Sequence, residues 1–153
     1  MNYIFYDFET TGRESNWDQI IQVGAVLTNS NFIEIDRFEA RCRLKPGLIP
    51  YPKALLVNQS SVKNLTQTNL SHFALIKLME KKFKSWGRSI YIGYNSISFD
   101  EEFLRKSLFK SLYDPYLTIN NGNKRSDLLN ILRANHIYNP DSIKFPLNNK
   151  GKL

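Results

Sequence analysis

The sequence has almost none of the residues that would staple the chain or carry it across a membrane. Its 153 residues include one cysteine, Cys42, which excludes an intrachain disulfide framework and any CxxC zinc site. No apolar run approaches the roughly 20 residues that a membrane span needs. The opening Met1-Asn2-Tyr3 has neither the basic region nor the apolar stretch of a secretory signal. These gaps lead us to expect a cytoplasmic protein in a reducing compartment, with no membrane association. No internal repeat is present. Acidic residues are the minority charge: 14 Asp and Glu face 21 Lys and Arg, a net charge of +7. A basic excess of that kind favours a polyanionic partner, nucleic acid first.

Hydrophobic residues make up 42% and charged residues 23%, which suits a soluble globular chain with a core. We expect one domain over residues 1–153 and no second domain. The first third reads as strands at 2–9, 19–28 and 32–44, the third antiparallel to the second across the Asn29-Ser30-Asn31 turn. Three prolines and a glycine make 45–52 irregular, and 54–65 holds short helical turns. The period then changes. Phe73, Ile76, Met79, Phe83 and Trp86 form a helical stripe over 72–86, with Ser71 as N-cap and Gly87 as stop. A short buried strand follows at 90–94. Next come a helix at 100–112, with Phe103, Leu104, Leu108 and Leu112 inward, and another at 126–137. A meander followed by βα units predicts a mixed sheet with helices packed on it, the first strand central.

Two carboxylates stand out on that first strand, in Tyr3-Ile4-Phe5-Tyr6-Asp7-Phe8-Glu9-Thr10. Residues two apart on a strand share a face, roughly 7 Å apart. Asp7 and Glu9 therefore point the same way, repel each other and are costly to desolvate. A divalent cation between them removes both problems, so the pair reads as half of a metal site. A third acid, Asp100, follows a strand and opens a helix in Gly93-Tyr94-Asn95-Ser96-Ile97-Ser98-Phe99-Asp100-Glu101-Glu102-Phe103, where a loop can bring it to the sheet edge beside the first strand.

FYDFETTG, GYNSISFDEEF, YDPY and RSDLL with Arg133-Ala134, in that order, resemble bacterial exonuclease I, one of the DnaQ-like (DEDD) 3′→5′ exonucleases. Ile143-Lys144-Phe145-Pro146 fits the same pattern. The resemblance implies an α/β, ribonuclease H-like mixed sheet with flanking helices, C-terminally incomplete. It implies that Asp7, Glu9 and Asp100 are metal ligands and catalytic, and that Glu9 and Thr10 hold the 3′-terminal nucleotide. It also implies hydrolysis of single-stranded DNA to nucleoside 5′-monophosphates. Two Mg²⁺ or Mn²⁺ ions roughly 4 Å apart can stabilise attacking and leaving oxygens together, and magnesium suits an all-carboxylate set. Single-strand DNA-binding protein is an implied partner, through regions outside these residues. The family's general-base histidine, with an aspartate five residues later, lies past the segment matched here. The 153-residue piece is therefore expected to be weak or inert.

His136 and Asp141 repeat that five-residue spacing. Pro140 breaks the helix between them, and His136 reads as a helix-end residue near terminal carbonyls. Ser98 to Glu101 fits a capping box, with Glu101 and Glu102 suiting the helix dipole. Asp114 and Asp127 read as structural, His72 as exposed, and Lys81, Lys82 and Lys84 as a solvated face. Two other functions fit: an RNA-trimming exonuclease of the same superfamily, or a fragment that binds single strands or a partner without cutting.

Overall fold

The computed structural model describes residues 1–143, so the Lys144-Phe145-Pro146 part of the family pattern lies outside the described residues. Five strands, β1 (Asn2–Thr10), β2 (Ile20–Thr28), β3 (Glu34–Arg41), β4 (Ser89–Gly93) and β5 (Lys124–Asp127), form one sheet in the order β3-β2-β1-β4-β5. β1 pairs antiparallel with β2, as does β2 with β3, whereas β4 is parallel to β1 and β5 to β4. The expected mixed sheet is present, with the Asp7–Glu9 strand at its centre. The Asn29 carboxamide closes the β2–β3 turn by accepting from the amides of Asn31 and Ile33.

Alternation along β1 sends Ile4, Tyr6 and Phe8 into the core and leaves Tyr3, Phe5, Asp7 and Glu9 on the opposite face. The core side is covered by α3 (His72–Ser85) and α4 (Asp100–Lys110), through Leu75, Ile76, Met79 and Phe83 and through Phe103, Leu104 and Leu108. Ser71 caps α3 by accepting from the Ala74 amide, and Gly87 ends it with φ +68°. Two short helices, α1 (Pro52–Val57) and α2 (Val62–Gln67), fill the irregular stretch, and α5 (Leu128–Tyr138) follows β5. Among the described residues no helix is long and apolar enough to cross a membrane.

Several expectations are corrected. β3 is shorter than 32–44, because Phe32 adopts φ +60° in the turn and the chain past Arg41 leaves the sheet. α4 ends at Lys110, so Leu112 lies beyond the helix with φ +60° and points to solvent, 95% exposed. Phe73 is half exposed and stacks on Tyr113 rather than joining the core stripe. His72, expected to be exposed, is buried. Residues 124–127 are a strand that periodicity missed, and helix α5 begins two residues later than expected. Of the lysines read as solvated, Lys82 pairs with Asp36 at 2.7 Å and Lys84 pairs with Glu80.

Candidate active site

β1 has nine residues and β4 only five, so their parallel pairing stops at Phe5–Ile92. Past that point β1 keeps β2 on one side, with Asp7 opposite Gly24 and Glu9 opposite Gln22. On the other side, the place a longer β4 would fill is taken by a side chain: Asp100 Oδ1 accepts from the Phe8 amide at 3.1 Å. Asp100 is thereby set against the backbone segment that lies between Asp7 and Glu9.

Three local features hold it there. Gly93 ends β4 where a Cβ would meet the Ser96 side chain at 2.5 Å and the Tyr6 carbonyl at 3.2 Å, so only glycine lets the chain turn this close to β1. Asn95 then takes a left-handed φ of +58°, leading into a 3₁₀ turn at Ser96–Ser98. Asp127, from β5, accepts from the amides of Asn95, Ile97 and Leu129, and so ties this turn to the start of α5. Its structural reading is supported.

Glu101 is a correction. No side-chain cap forms at α4, whose N-cap is Phe99, and Glu101 does not sit in solvent as a dipole partner. It is 2% exposed and accepts from Tyr6 Oη at 2.8 Å, Thr118 Oγ1 at 3.0 Å and Arg125 Nη1 at 3.0 Å. This buried cluster bolts the first turn of α4 to β1 and β5 beside Asp100. Burial and the nearby Glu101 push the Tyr6 phenol well above its ordinary range, so it stays a donor.

The electrostatics are those of crowded carboxylates. Burial and then Asp7 raise the Asp100 carboxyl to about 7. Burial also raises Asp7. Glu9 is raised by burial and Asp7, with Arg41 opposing. Asp7 thus repels both other acids. Among the described residues no three His, Cys, Asp or Glu side chains form a ready-made metal cage. The donor chemistry nevertheless fits a hard dication: carboxylate oxygens, mutually repelling, and no soft ligand among them.

Thr10 is buried, and its hydroxyl donates to the Gly12 carbonyl at 2.6 Å. Its carbonyl accepts from Asn58 Nδ2 at 3.1 Å. It lines, with Glu9, Phe8, Arg13, Tyr51, Lys53 and Phe99, a cavity of about 180 Å³. Sequence reasoning missed Tyr51, Lys53 and Arg13. They come from a proline-rich connection and a short loop, and no periodicity marks them. Neither histidine lines this cavity, and His136 stands in the last turn of α5. Asp114 accepts from the Tyr116 amide and from Asn120 within its own turn, which supports its structural reading.

A mixed five-stranded sheet flanked by helices, with acids at the open end of its central strand, defines a ribonuclease H-like nuclease fold. The chain belongs to the exonuclease family (RNase_T), whose model matches residues 4–139. It is 31% identical over 155 residues to exodeoxyribonuclease I of Buchnera aphidicola subsp. Baizongia pistaciae, covering all of this chain and 32% of that protein. It is 28% identical to exodeoxyribonuclease I of Escherichia coli, covering 97% of this chain and 32% of that one. Among solved structures, product-bound exonuclease I superposes with a TM-score of 0.91 at 27% identity, over 98% of this chain and 35% of that one. Escherichia coli exonuclease I with a dT13 oligonucleotide gives 0.90 at 27% identity, over 98% and 32%. The chain therefore spans about a third of the length of the curated relatives it matches.

Proposed function

We propose that the chain carries the metal-binding part of a 3′→5′ exonuclease site for single-stranded DNA, releasing nucleoside 5′-monophosphates. The observation that supports this most is the Asp100 carboxylate on the Phe8 amide, which puts a third acid beside the Asp7–Glu9 pair. Asp7, Glu9 and Asp100 would hold divalent ions, Mg²⁺ or Mn²⁺, two per site. When bound, such ions supply Lewis-acid charge at a phosphodiester and make a water more acidic. The residues do the rest. Glu9 and Thr10 border the cavity that would take the terminal nucleotide, Tyr51 and Phe99 offer it aromatic walls, and Arg13 and Lys53 offset its phosphate. The relatives' structures with oligonucleotide, and one described as an ExoI/SSB-Ct complex, support single-stranded DNA and single-strand DNA-binding protein as partners. A cytoplasmic location goes with that work.

A second reading is favoured by one observation: no histidine lines the cavity beside Glu9. On this reading the 153-residue chain binds single strands and cleaves weakly or not at all. One experiment addresses both. Single-stranded DNA and RNA oligonucleotides labelled at either end are incubated with the chain in Mg²⁺, Mn²⁺ or chelator. The nuclease reading expects metal-dependent shortening from the 3′ end of DNA, at least a hundredfold slower in Asp7→Asn, about 2.7 kcal/mol of barrier. Binding without shortening supports the second reading. Shortening that persists in chelator and in Asp7→Asn refutes the metal roles.

A further inference from the structure

Helix α1 borders the cavity beside Glu9, yet little apolar packing holds it there. No residue of α1 is buried. Leu56 and Val57 are 79% and 75% exposed. The segment nevertheless supplies Tyr51, Lys53, Ala54 and Val57 to the cavity, alongside Glu9 and Thr10 of β1. Two hydrogen bonds tie its ends to the end of β1. The Tyr51 amide, at the N-cap, donates to the Thr11 carbonyl at 2.7 Å. Asn58, at the C-cap, donates through Nδ2 to the Thr10 carbonyl at 3.1 Å. The first bond uses backbone, and any residue but proline makes it. The second depends on one side chain.

Asn58 is set by its own surroundings. Its amide donates to the Ala54 carbonyl at 3.0 Å, and Gln59 then turns the chain with a left-handed φ of +51°. Its Oδ1 is buried without a hydrogen-bond partner, so among the described residues the side chain is held through Nδ2. The reverse amide orientation would press Oδ1 against the Thr10 carbonyl oxygen, two acceptors with no donor between them. The position of that carbonyl gives the bond its importance. Backbone groups two residues apart on a strand face the same edge. Phe8 and Thr10 therefore share the edge of β1 that β4 leaves open past Phe5–Ile92. Asp100 takes the Phe8 amide and Asn58 takes the Thr10 carbonyl, one before Glu9 in the chain and one after it. On the other edge, the ladder to β2 shifts register between Glu9 and Thr10, so regular pairing gives this peptide less support.

We propose that Asn58 is a positioning residue for the 3′-terminal nucleotide. Its carboxamide clasps the C-terminal end of α1 to the Glu9–Thr10 backbone, so that the two segments bordering the cavity keep one spacing. It acts through Thr10 and α1 and need not touch the nucleotide. Without the bond, α1 stays attached at Tyr51 while its far end is free to leave β1. The nucleotide must then order that end as it binds, which lowers its affinity. The fold loses little, because α1 buries no residue. The nucleotide as occupant rests on the nuclease reading above; the clasp between Asn58 and Thr10 does not.

The test compares the parent chain with Asn58→Ala and with Asn58→Asp, which keeps the shape of the side chain and, when ionised, has no proton to donate. Ser61→Ala uncaps α2 outside the cavity and serves as a local control. The readouts are thermal melting, amide hydrogen exchange by mass spectrometry, and calorimetric titration with thymidine 5′-monophosphate in Mn²⁺. Both Asn58 variants should speed exchange over residues 51–58 about fivefold and weaken nucleotide binding about fivefold, the worth of one hydrogen bond. Exchange in α3 and α4 should stay at the parent rate, and the melting temperature should fall by no more than about 4 °C. Ser61→Ala should change neither the exchange of 51–58 nor the affinity. If 51–58 exchanges in the Asn58 variants as in the parent, or if exchange rises throughout the chain, the clasp is refuted. If exchange rises over 51–58 alone while nucleotide affinity is unchanged, the positioning role is refuted. Asp7→Asn should abolish Mn²⁺-dependent binding and leave the exchange of 51–58 at the parent rate. A parent chain that binds no nucleotide counts against the nuclease reading, and exchange then decides the clasp by itself, so the two failures are separate results.

Discussion

Replacing Glu101 with alanine tests whether the first turn of α4 is bolted to the sheet by a buried charge. The carboxylate is 2% exposed and has three donors: Tyr6, Thr118 and Arg125. Breaking a buried ion pair by removing one partner costs about 3–5 kcal/mol. The Arg125 side chain is 31% exposed and can rehydrate, which pulls the pair's share toward the lower end. Tyr6, only 5% exposed, cannot recover an acceptor so easily, and its orphaned hydroxyl adds about 1–3 kcal/mol. Together these place Glu101→Ala near a loss of ~4 kcal/mol. With a urea slope of about 2 kcal/mol per molar, the unfolding midpoint falls by roughly 2 M. Glu101→Gln keeps an acceptor for Tyr6 and should lose less, about 1.5–3 kcal/mol. Tyr6→Phe should lose about 1 kcal/mol alone, and combined with Glu101→Gln should show coupling of at least ~0.5 kcal/mol. Midpoints from urea titrations followed by circular dichroism and by Trp fluorescence give all four values. A loss below ~1 kcal/mol for Glu101→Ala is what an exposed pair would show, and it would refute the bolt.

Metal-free stability should fall as pH rises from about 4 to about 7, because the folded Asp100 carboxyl titrates near 7 and the free group near 3.8. The fold binds that proton more tightly between the two values, so its contribution is complete below the lower one and gone above the upper one. Asp100→Asn keeps an acceptor for Phe8 and should melt higher than the parent at pH 8 in chelator, with the gap closing toward pH 4; a parallel pair of melting curves across that range would contradict the assignment. Added Mn²⁺ should raise the melting temperature of the parent and not of Asp100→Asn. Gly93→Ala drives a methyl into Ser96 and the Tyr6 carbonyl, and should cost about 1–3 kcal/mol by thermal melting. Asp127→Ala releases three amides at once and should cost about 2–4 kcal/mol, measured the same way; a change under ~0.5 kcal/mol would mean that the turn is held by other contacts.

Strand identity was legible wherever one face is buried. The strands expected at 2–9 and 19–28 are β1 and β2, and on β1 the spacing of two keeps Asp7 and Glu9 on one face. The β5 strand was not legible, because it has four residues, Lys124-Arg125-Ser126-Asp127, none of them apolar. Its place is set by pairing to β4 and by the bonds of Arg125 and Asp127, which are tertiary facts. Glu101 and His72 failed for a related reason. Both are polar residues at helix starts, where local rules favour capping and exposure. Each is instead buried by a distant segment: Glu101 under Tyr6, Thr118 and Arg125, and His72 beneath Lys45 and Lys110. The acids at 7 and 9 could be read from spacing alone. Asp100 needed the family pattern, since nothing local distinguishes it from Glu101 or Glu102.

The difference among those three consecutive acids comes from where β4 stops. A parallel neighbour as long as β1 would have used the Phe8 amide in the ladder, leaving no opening for a side chain. Because β4 ends at Gly93, the amide is free to take a carboxylate, and the helix that begins at residue 100 delivers one. The next acid along the helix turns inward to Tyr6, which fixes the helix; the one after that stays exposed, its carboxylate 3.4 Å from Ser15 Oγ. The early end of β4 thus creates the acidic edge, and the burial of Glu101 keeps Asp100 against it. Moving either feature by one residue would put the wrong carboxylate beside Asp7, since successive helix positions are about 100° apart.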